Sequence, residues 1–217
     1  GGLPIPLTPL IDRQREVAAI CRAFERADLR LLTLVGPPGI GKTRLGLQVA
    51  DRLRQRSPDG ICFVGLAPVR DPQLVLPAIA LALRVQPRAG QSLPEALAES
   101  LQGRRILLLL DNCEHVLDAA PALADLLRVL PLLKALATSR AALHISGEHL
   151  FAVPPLALPA PHAQPGELAE NPAVQLFLAR AQAISSAVPA SAENICAIAA
   201  ICACLDGLPL AIELAAA

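Results

Sequence analysis

A segment of eight residues has the composition and spacing of a loop that binds phosphate. Residues 36–43 read Gly-Pro-Pro-Gly-Ile-Gly-Lys-Thr and match the pattern GxxxxGK[ST]. Glycine lets the backbone approach phosphate closely, and the amides of such a loop attract negative charge together with the N-terminus of the next helix. Proline has no amide hydrogen, so positions 37 and 38 stiffen the loop and the donors are expected from position 39 onward. The predicted nucleotide-binding residues of this loop are Pro38, Gly39, Ile40, Gly41, Lys42, Thr43 and Arg44.

Two residues of this loop and one later carboxylate are predicted to act together. A lysine at the place of Lys42 reaches the β and γ phosphates of a nucleotide, while the hydroxyl of Thr43 is placed to ligate Mg2+. The apolar strand predicted over residues 105–110 ends at Asp111. Parallel sheets bind ligands at the carboxyl ends of their strands, so Asp111 is predicted to bind Mg2+ through water, as a Walker B acid does. Thr43 and Asp111 are therefore the predicted metal ligands.

The residues after Asp111 bear on the rate of hydrolysis. A fast hydrolase needs a carboxylate that orients or deprotonates water, but the next residue, Asn112, cannot act as a base. Glu114 is the nearest acidic candidate for a catalytic role, and a solvated loop carboxylate is the alternative reading. His115 has the same ambiguity, with a surface or capping role as its alternative.

A second strand end carries a candidate phosphate-binding cation. Residues 134–140 read Lys-Ala-Leu-Ala-Thr-Ser-Arg, an apolar strand that ends in hydroxyls and Arg140. The guanidinium of Arg140 would lie beside the ligand edge of the sheet, where it could contact a γ phosphate. A surface arginine at a strand end is the alternative. The predicted catalytic residues are Lys42, Asp111, Arg140 and Glu114.

These residues have to be positioned by an alternation of strands and helices. Strands are predicted near residues 29–35, 61–66, 105–110, 134–138 and 149–153, with helices before and between them at residues 13–27, 71–83 with a kink at Pro77, 93–101 and 118–130, and a further helix after the loop. This order predicts an α/β P-loop fold with a five-stranded, mostly parallel sheet flanked by helices, followed by a truncated all-helical subdomain. The predicted segments are an N-terminal segment (1–28), a nucleotide-binding core (29–153), a Pro-rich linker (154–170) and an incomplete helical subdomain (171–217).

Composition restricts the class of protein. Of 217 residues, 53% are hydrophobic and 18% are charged, which excludes a disordered chain. The longest uncharged run, residues 149–166, contains five prolines and is too interrupted for a spanning helix. With 19 basic and 19 acidic residues and no Trp or Tyr, direct binding to nucleic acid or to a membrane surface is not expected. Nothing at the N-terminus reads as a signal peptide, so a cytoplasmic location is expected.

The six cysteines contain no CxxC pair. They are interpreted as small buried hydrophobic residues of a protein in a reducing cytoplasm. A metal-binding or disulfide role is the alternative.

Three strings of the sequence, LTLVGPPGIGKTRL, LLLLDNCEHV and LDGLPLAIELAA, together resemble one family. The chain is similar to STAND-class P-loop ATPases, and most of all to the NB-ARC-like module of large bacterial transcriptional regulators of the LuxR and SARP type. The resemblance implies that Pro209 of the GLPLA motif packs on adenine and that Arg140 is a γ-phosphate sensor. It also implies that Leu10, Ile11 and Arg13 frame the base, with Asp12 standing where the family has glycine and Gln14 where it has glutamate.

The expected function is that of an ATP/ADP-dependent switch with Mg2+ as cofactor and slow hydrolysis of ATP, in a parent protein that self-associates in its ATP state. A nucleotide-gated scaffold that never hydrolyses is the alternative, and Asn112 is the residue that favours it. A P-loop kinase is a weaker rival, because the Pro-rich segment followed by GLPLA offers no arginine-bearing lid.

Overall fold

A parallel β-sheet of short, mostly apolar strands organises the larger part of the chain. The computed structural model describes residues 2–160, 163–184 and 191–217. The strands are β1 (Leu31–Val35), β2 (Ile61–Gly65), β3 (Leu107–Asp111), β4 (Lys134–Ser139) and β5 (Glu148–Ala152). They lie in the order β2-β3-β4-β1-β5, and each neighbouring pair is parallel. The α/β fold with a five-stranded sheet, predicted from the sequence, is confirmed in the described residues.

The residue pattern of each strand matches its place in the sheet. β3 lies inside the sheet, reads Leu-Leu-Leu-Leu-Asp and is buried along its whole length. A strand covered by helices on both faces needs apolar side chains on both faces, and a run of leucines supplies them. The edge strands β2 and β5 include half-buried and exposed positions instead.

Helices pack around this sheet in a first unit, which contains residues 2–8, 14–36 and 42–152. Ser92 and Glu95 form a capping box at the start of the helix Leu93–Leu101, because each side chain accepts a hydrogen bond from the other residue's backbone amide. The helices of this unit are α1 (Gln14–Ala23), α2 (Lys42–Arg52), α3 (Val75–Leu83), α4 (Leu93–Leu101) and α5 (Ala120–Val129).

Three predicted helices have different bounds in the structure. The helix predicted over residues 118–130 is a 3-10 turn, Leu117–Ala119, followed by α5. The N-terminal helix ends at Ala23 and not near residue 27. The helix predicted over residues 71–83 is a 3-10 turn, Pro72–Leu74, followed by α3. Pro77 lies in the first turn of α3, where its missing amide hydrogen removes no intrahelical hydrogen bond. α3 is a continuous helix from Val75 to Leu83, and the kink at Pro77 stays a prediction.

A second unit contains residues 9–13 and 37–41 and the chain from residue 153 onward. Its helices are α6 (Pro165–Glu170), α7 (Pro172–Ile184), α8 (Ala192–Cys204) and α9 (Pro209–Ala215). Apolar side chains of all four helices form one core, which includes Leu168, Val174, Phe177, Ile198 and Ile212.

Part of the predicted linker over residues 154–170 is helical. Residues 165–170 form α6, in which Leu168 is buried and Glu167 accepts a hydrogen bond from the Gln164 amide. The linker prediction was wrong there, because Pro165 was interpreted as part of an extended segment although proline is also common at the first position of a helix. Gly1 of the N-terminal segment, residues 161–162 of the linker and residues 185–190 of the helical subdomain lie outside the described residues.

The order of the strands decides which side chains meet at the carboxyl edge of the sheet. β4 lies between β3 and β1. Leu34 pairs with Thr138, and Leu110 pairs with Ala137, so Asp111 at the end of β3 comes level with Thr138 on β4. β1 lies on the side of β4 opposite to β3, so the loop that follows β1 begins on that side.

Candidate functional site

Lys42 is the first residue of α2 and is buried, with only 8% of its surface exposed. Its ammonium Nζ donates a hydrogen bond to the carbonyl oxygen of Gly36 at 2.7 Å. Burial lowers the pKa of Lys42 from its ordinary value, and the negative charge of Glu114 acts in the opposite direction. The ammonium therefore lies within electrostatic reach of the predicted catalytic carboxylate.

Thr43, Asp111 and Thr138 form a closed hydrogen-bonded cluster. The hydroxyls of Thr43 and Thr138 each donate to the same oxygen, Oδ1 of Asp111, and both distances are 2.7 Å. The hydroxyl of Thr138 also accepts a hydrogen bond from the Asn112 amide at 3.0 Å. Asp111 and Thr138 are buried, with 7% and 1% of their surface exposed. The carboxylate is thus held in place from two sides.

The donor set of this cluster fits Mg2+. A hydroxyl and a carboxylate are the hard oxygen ligands that Mg2+ takes, and Mg2+ uses only one or two protein groups when phosphates supply other ligands. The described residues contain no group of three or more His, Cys, Asp or Glu side chains placed to hold a metal on their own. Thr43 and Asp111 therefore suit a metal ion that arrives with a phosphate, and their role as its ligands stays a prediction.

The backbone of the turn after β3 favours an asparagine directly after Asp111. Asn112 adopts a left-handed conformation with φ 64°, which asparagine tolerates better than most residues do. The chain then enters a 3-10 turn, Cys113–His115, that carries Glu114. The Cys113 thiol is buried and donates to the Leu110 carbonyl at 3.7 Å, and burial raises its pKa to about 12. His115 is exposed.

Glu114 and Arg140 form an ion pair beyond the ends of β3 and β4. The Arg140 Nε donates to Glu114 Oε1 at 3.2 Å. The two side chains differ in exposure, which is 56% for Arg140 and 10% for Glu114. The second carboxylate oxygen, Oε2, is buried and has no hydrogen-bond partner among the described residues. Two of the four predicted catalytic side chains, Glu114 and Arg140, are therefore bound to each other at this edge.

The middle of the glycine loop contacts helix α9 within the second unit. The Leu210 amide donates to the Gly39 carbonyl at 3.1 Å. Gly39 has φ +78°, and a Cβ at this position would lie 2.8 Å from Cβ of Leu210. Gly41, at φ +96°, also adopts a conformation that favours glycine, with open space beside it. Both glycines are therefore required by the backbone path, and Gly39 also by its neighbour.

The residues expected to frame a base belong to the second unit. Arg13 is buried, and its guanidinium donates to the Ile40 carbonyl at 3.5 Å. Ile11 packs against the helical core of this unit. Asp12 adopts φ 46°, so it takes the left-handed conformation that the family's glycine would allow. The base-framing role of Leu10, Ile11, Arg13 and Pro209 stays a prediction from the resemblance.

Three contacts at this site were not predicted from the sequence, and one of them is the ion pair of Glu114 with Arg140. Thr138 was seen only as part of a hydroxyl-bearing strand end, and its bond to Asp111 depends on the strand order. The contact of Leu210 with Gly39 joins residues far apart in the chain and has no local sequence signal. Arg44, by contrast, was predicted through its amide, and its guanidinium donates to the carbonyl and the hydroxyl of Thr8.

The prediction that the cysteines are buried is wrong for Cys196 and Cys204, which are exposed. All six cysteines are free thiols: Cys62, Cys113 and Cys202 are buried, Cys21 is half-buried, and Cys196 and Cys204 are exposed. Among the described residues, no helix combines the length and the apolar character that crossing a membrane requires.

Comparison with known proteins places Lys42, Asp111 and Arg140 within the part of the chain that matches a known family. A family model described as an AAA domain matches residues 26–149, more than half of the chain. A putative HTH-type transcriptional regulator of Mycobacterium tuberculosis is 40% identical over 192 residues, which are 88% of this chain and 20% of that protein. The regulatory protein AfsR of Streptomyces griseus is 33% identical over 213 residues, 93% of this chain and 19% of AfsR.

A solved structure supports the fold. A STAND protein with a tetratricopeptide repeat sensor from Pyrococcus horikoshii superposes with a TM-score of 0.54 at 17% identity, covering 98% of this chain and 30% of that one. The chain spans about a fifth of the length of the two regulators. The resemblance to a module of large bacterial transcriptional regulators, predicted from three sequence motifs, is confirmed by these relatives.

Proposed function

The chain belongs to the AAA domain family, and on this basis we propose that it is an ATP- and ADP-binding switch that hydrolyses ATP slowly. The observation that carries the proposal is the assembly of Lys42, Thr43 and Asp111 at one edge of the sheet, with Thr138 locking the carboxylate. A turn that merely needed glycines would not require a buried lysine and a carboxylate bound by two hydroxyls.

Each side chain has a definite task in this proposal. Lys42 exchanges its bond to the Gly36 carbonyl for contacts with phosphate oxygens. Thr43 and Asp111 would hold Mg2+, which neutralises charge on the phosphates when it is bound. Arg140 supplies a guanidinium for the charge on the γ phosphate. Asn112 cannot deprotonate water, so turnover is expected to be slow.

A nucleotide-gated scaffold without hydrolysis is the second candidate. The specific observation that favours it is the ion pair of Glu114 with Arg140, because the Oε1 that accepts from the guanidinium is already occupied and is not available to accept a proton from water. In this case ATP and ADP bind and change the state of the protein, but no phosphate is released.

The experiment that tests the proposal combines nucleotide analysis with turnover. The purified protein is denatured and the released nucleotide is identified. Release of inorganic phosphate from excess ATP and Mg2+ is then followed for the wild type and for Lys42→Met. ATP or ADP in the denatured sample with slow, multiple turnover above the variant supports a switch that hydrolyses. Bound nucleotide without turnover supports the scaffold, and absence of any nucleotide binding refutes both.

The role in the whole protein rests on the relatives' names. Relatives called HTH-type transcriptional regulator and regulatory protein AfsR contain a similar segment. We extend the proposal accordingly to a regulatory ATPase module of a cytoplasmic bacterial transcriptional regulator. The parent protein is proposed to self-associate in its ATP state, with this segment making no direct contact with nucleic acid.

A further inference from the structure

The ion pair of Glu114 and Arg140 affects whether the site prefers ATP or ADP. We propose that Glu114 competes with the γ phosphate for Arg140 and so lowers the affinity of the site for ATP relative to ADP. The inference rests on the proposed nucleotide site and assigns Glu114 as a positioning residue that acts through Arg140.

The geometry lets Arg140 change partner. Its side chain is 56% exposed, and the one hydrogen bond described for the guanidinium is the Nε contact with Glu114 at 3.2 Å. A guanidinium binds phosphate through two parallel hydrogen bonds, and such contacts are stronger than a single one to a carboxylate. A phosphate oxygen near Arg140 would therefore be a better partner than Glu114.

Glu114 is placed to be a weak competitor. Its side chain is 10% exposed, but its Oε2 is buried without a hydrogen bond among the described residues. A buried carboxylate oxygen that lacks a donor is costly, so the pair holds Arg140 without the full set of bonds that would make it permanent. Among the neighbouring charges, that of Glu114 has the largest effect on the pKa of Lys42, and it raises this pKa.

The competition distinguishes the two nucleotides by their number of phosphates. ADP lacks the γ phosphate, so Arg140 can stay with Glu114 when ADP is bound. ATP has to take Arg140 from Glu114. The apparent affinity for ATP is therefore the intrinsic affinity multiplied by the fraction of protein in which Arg140 is free. ADP lacks the phosphate that Arg140 would contact, so the loss of Arg140 acts on ATP, whereas the charge of Glu114 acts on both nucleotides. The part of the change in their affinity ratio that requires Arg140 therefore measures the ion pair.

The test measures dissociation constants for ADP and for the non-hydrolysable analogue adenylyl imidodiphosphate, both with Mg2+, by competition with a fluorescent ADP derivative. Glu114→Gln is expected to raise the affinity for the analogue relative to ADP by about two- to fivefold, the range of an exposed ion pair. In the Arg140→Gln background, the same change is expected to leave the ratio unaltered. The matched control is Glu99→Gln, which breaks the exposed pair with Arg88 at 3.0 Å and should not change the ratio.

A second variant separates the pair from general electrostatics. Glu114→Asp keeps the negative charge but shortens its reach, so it is expected to shift the ratio in the same direction as Glu114→Gln. An unchanged ratio in both variants, or a shift that persists without Arg140, overturns the competition while leaving the nucleotide site intact. If the wild type binds neither nucleotide, the proposed function itself fails, and that outcome is recognised before any variant is measured.

Discussion

Two carboxylates follow one another at the end of β3, and their surroundings differ. Asp111 is the last residue of the strand, and its Oδ1 accepts hydrogen bonds from two hydroxyls. Glu114 lies three positions later in a 3-10 turn, with one oxygen bound to an exposed arginine and the other without a partner among the described residues. The strand register positions Asp111, whereas a short 3-10 turn and one ion pair position Glu114.

The difference separates a fixed part of the site, Asp111 with Thr43 and Thr138, from an exchangeable part, Glu114 with Arg140. Side chains on packed strands are held closely enough to form a preorganised cluster, and Thr138 on β4 provides that support for Asp111. Glu114 and Arg140 lie beyond the ends of β3 and β4 and can change partners at little cost. We expect substitutions in the fixed part to impair binding or stability, and substitutions in the exchangeable part to tune selectivity and rate.

The largest effect is expected for Lys42→Met, which removes the cation and keeps an apolar chain in the buried place of the lysine. Two charge-assisted contacts with phosphate, each worth roughly 1.5 to 3 kcal/mol, correspond to at least about a hundredfold in the dissociation constant for ADP. Methionine is preferable to alanine because Lys42 is buried at the start of α2 and is not on an open loop. Binding is measured by isothermal titration calorimetry.

Lys134→Met is the matched control for this change. Lys134 is the other lysine of the chain and also donates to backbone carbonyls, those of Phe24 and Arg26. Its loss should affect stability but leave the affinity for ADP unchanged. Wild-type affinity in Lys42→Met would remove residues 36–43 from the proposed site.

The next effect concerns the fixed cluster and Mg2+. Asp111→Asn removes the negative charge and keeps an oxygen that the two hydroxyls can reach. Because the carboxylate is the charged metal ligand in our proposal, Mg2+ should no longer strengthen binding of the ATP analogue, a loss of about tenfold or more. The analogue is titrated with and without Mg2+. Asp118→Asn, on an exposed turn, is the control and should keep the Mg2+ effect.

A third prediction compares the two parts of the site by stability. Thr138→Val leaves the Asn112 amide without its acceptor and removes one donor from Asp111, so it should lower the free energy of unfolding by roughly 1 to 3 kcal/mol. Arg140→Gln breaks a pair in which the arginine is 56% exposed, and the glutamine amide can still donate to Glu114, so it should cost less than about 1 kcal/mol. Unfolding by urea, followed by circular dichroism, gives both values.

Thr33 provides an internal control for the third prediction. It lies fully buried on β1, and its hydroxyl has no partner among the described residues. Thr33→Val removes an unsatisfied polar atom and should be neutral or stabilising. If Thr138→Val and Thr33→Val have the same effect, the hydroxyl of Thr138 does not support Asp111.

The fixed part was largely predictable from the sequence because its signals are local. The leucines of β3 and the motif over residues 36–43 each identify an element and its functional end. The partner of Asp111 was not predictable, since Thr138 meets it only because β4 lies between β3 and β1. The pair of Glu114 with Arg140 and the contact of Leu210 with Gly39 also arise from tertiary structure. Helix α6 was missed because a proline can begin a helix as well as break one.

The smallest effect is expected on the rate of ATP hydrolysis. Asn112 takes a left-handed conformation that aspartate also tolerates, so Asn112→Asp should fold and place a carboxylate beside Asp111. If a second acid is what limits turnover, phosphate release should rise by about two- to tenfold, well below the gain from an optimally placed base. Asn112→Gln, which adds no charge, is a control for the loss of asparagine and should not increase turnover.

Glu114→Gln decides how the rate is to be interpreted. In the proposed competition, Glu114 restrains Arg140, so its neutralisation should leave turnover at saturating ATP near the wild-type value or raise it slightly. A loss of about a hundredfold or more, together with no gain in Asn112→Asp, would instead assign Glu114 as the base that prepares water. The carboxylate would then belong to the catalytic part of the site, and its bond to Arg140 would have to break before each turnover.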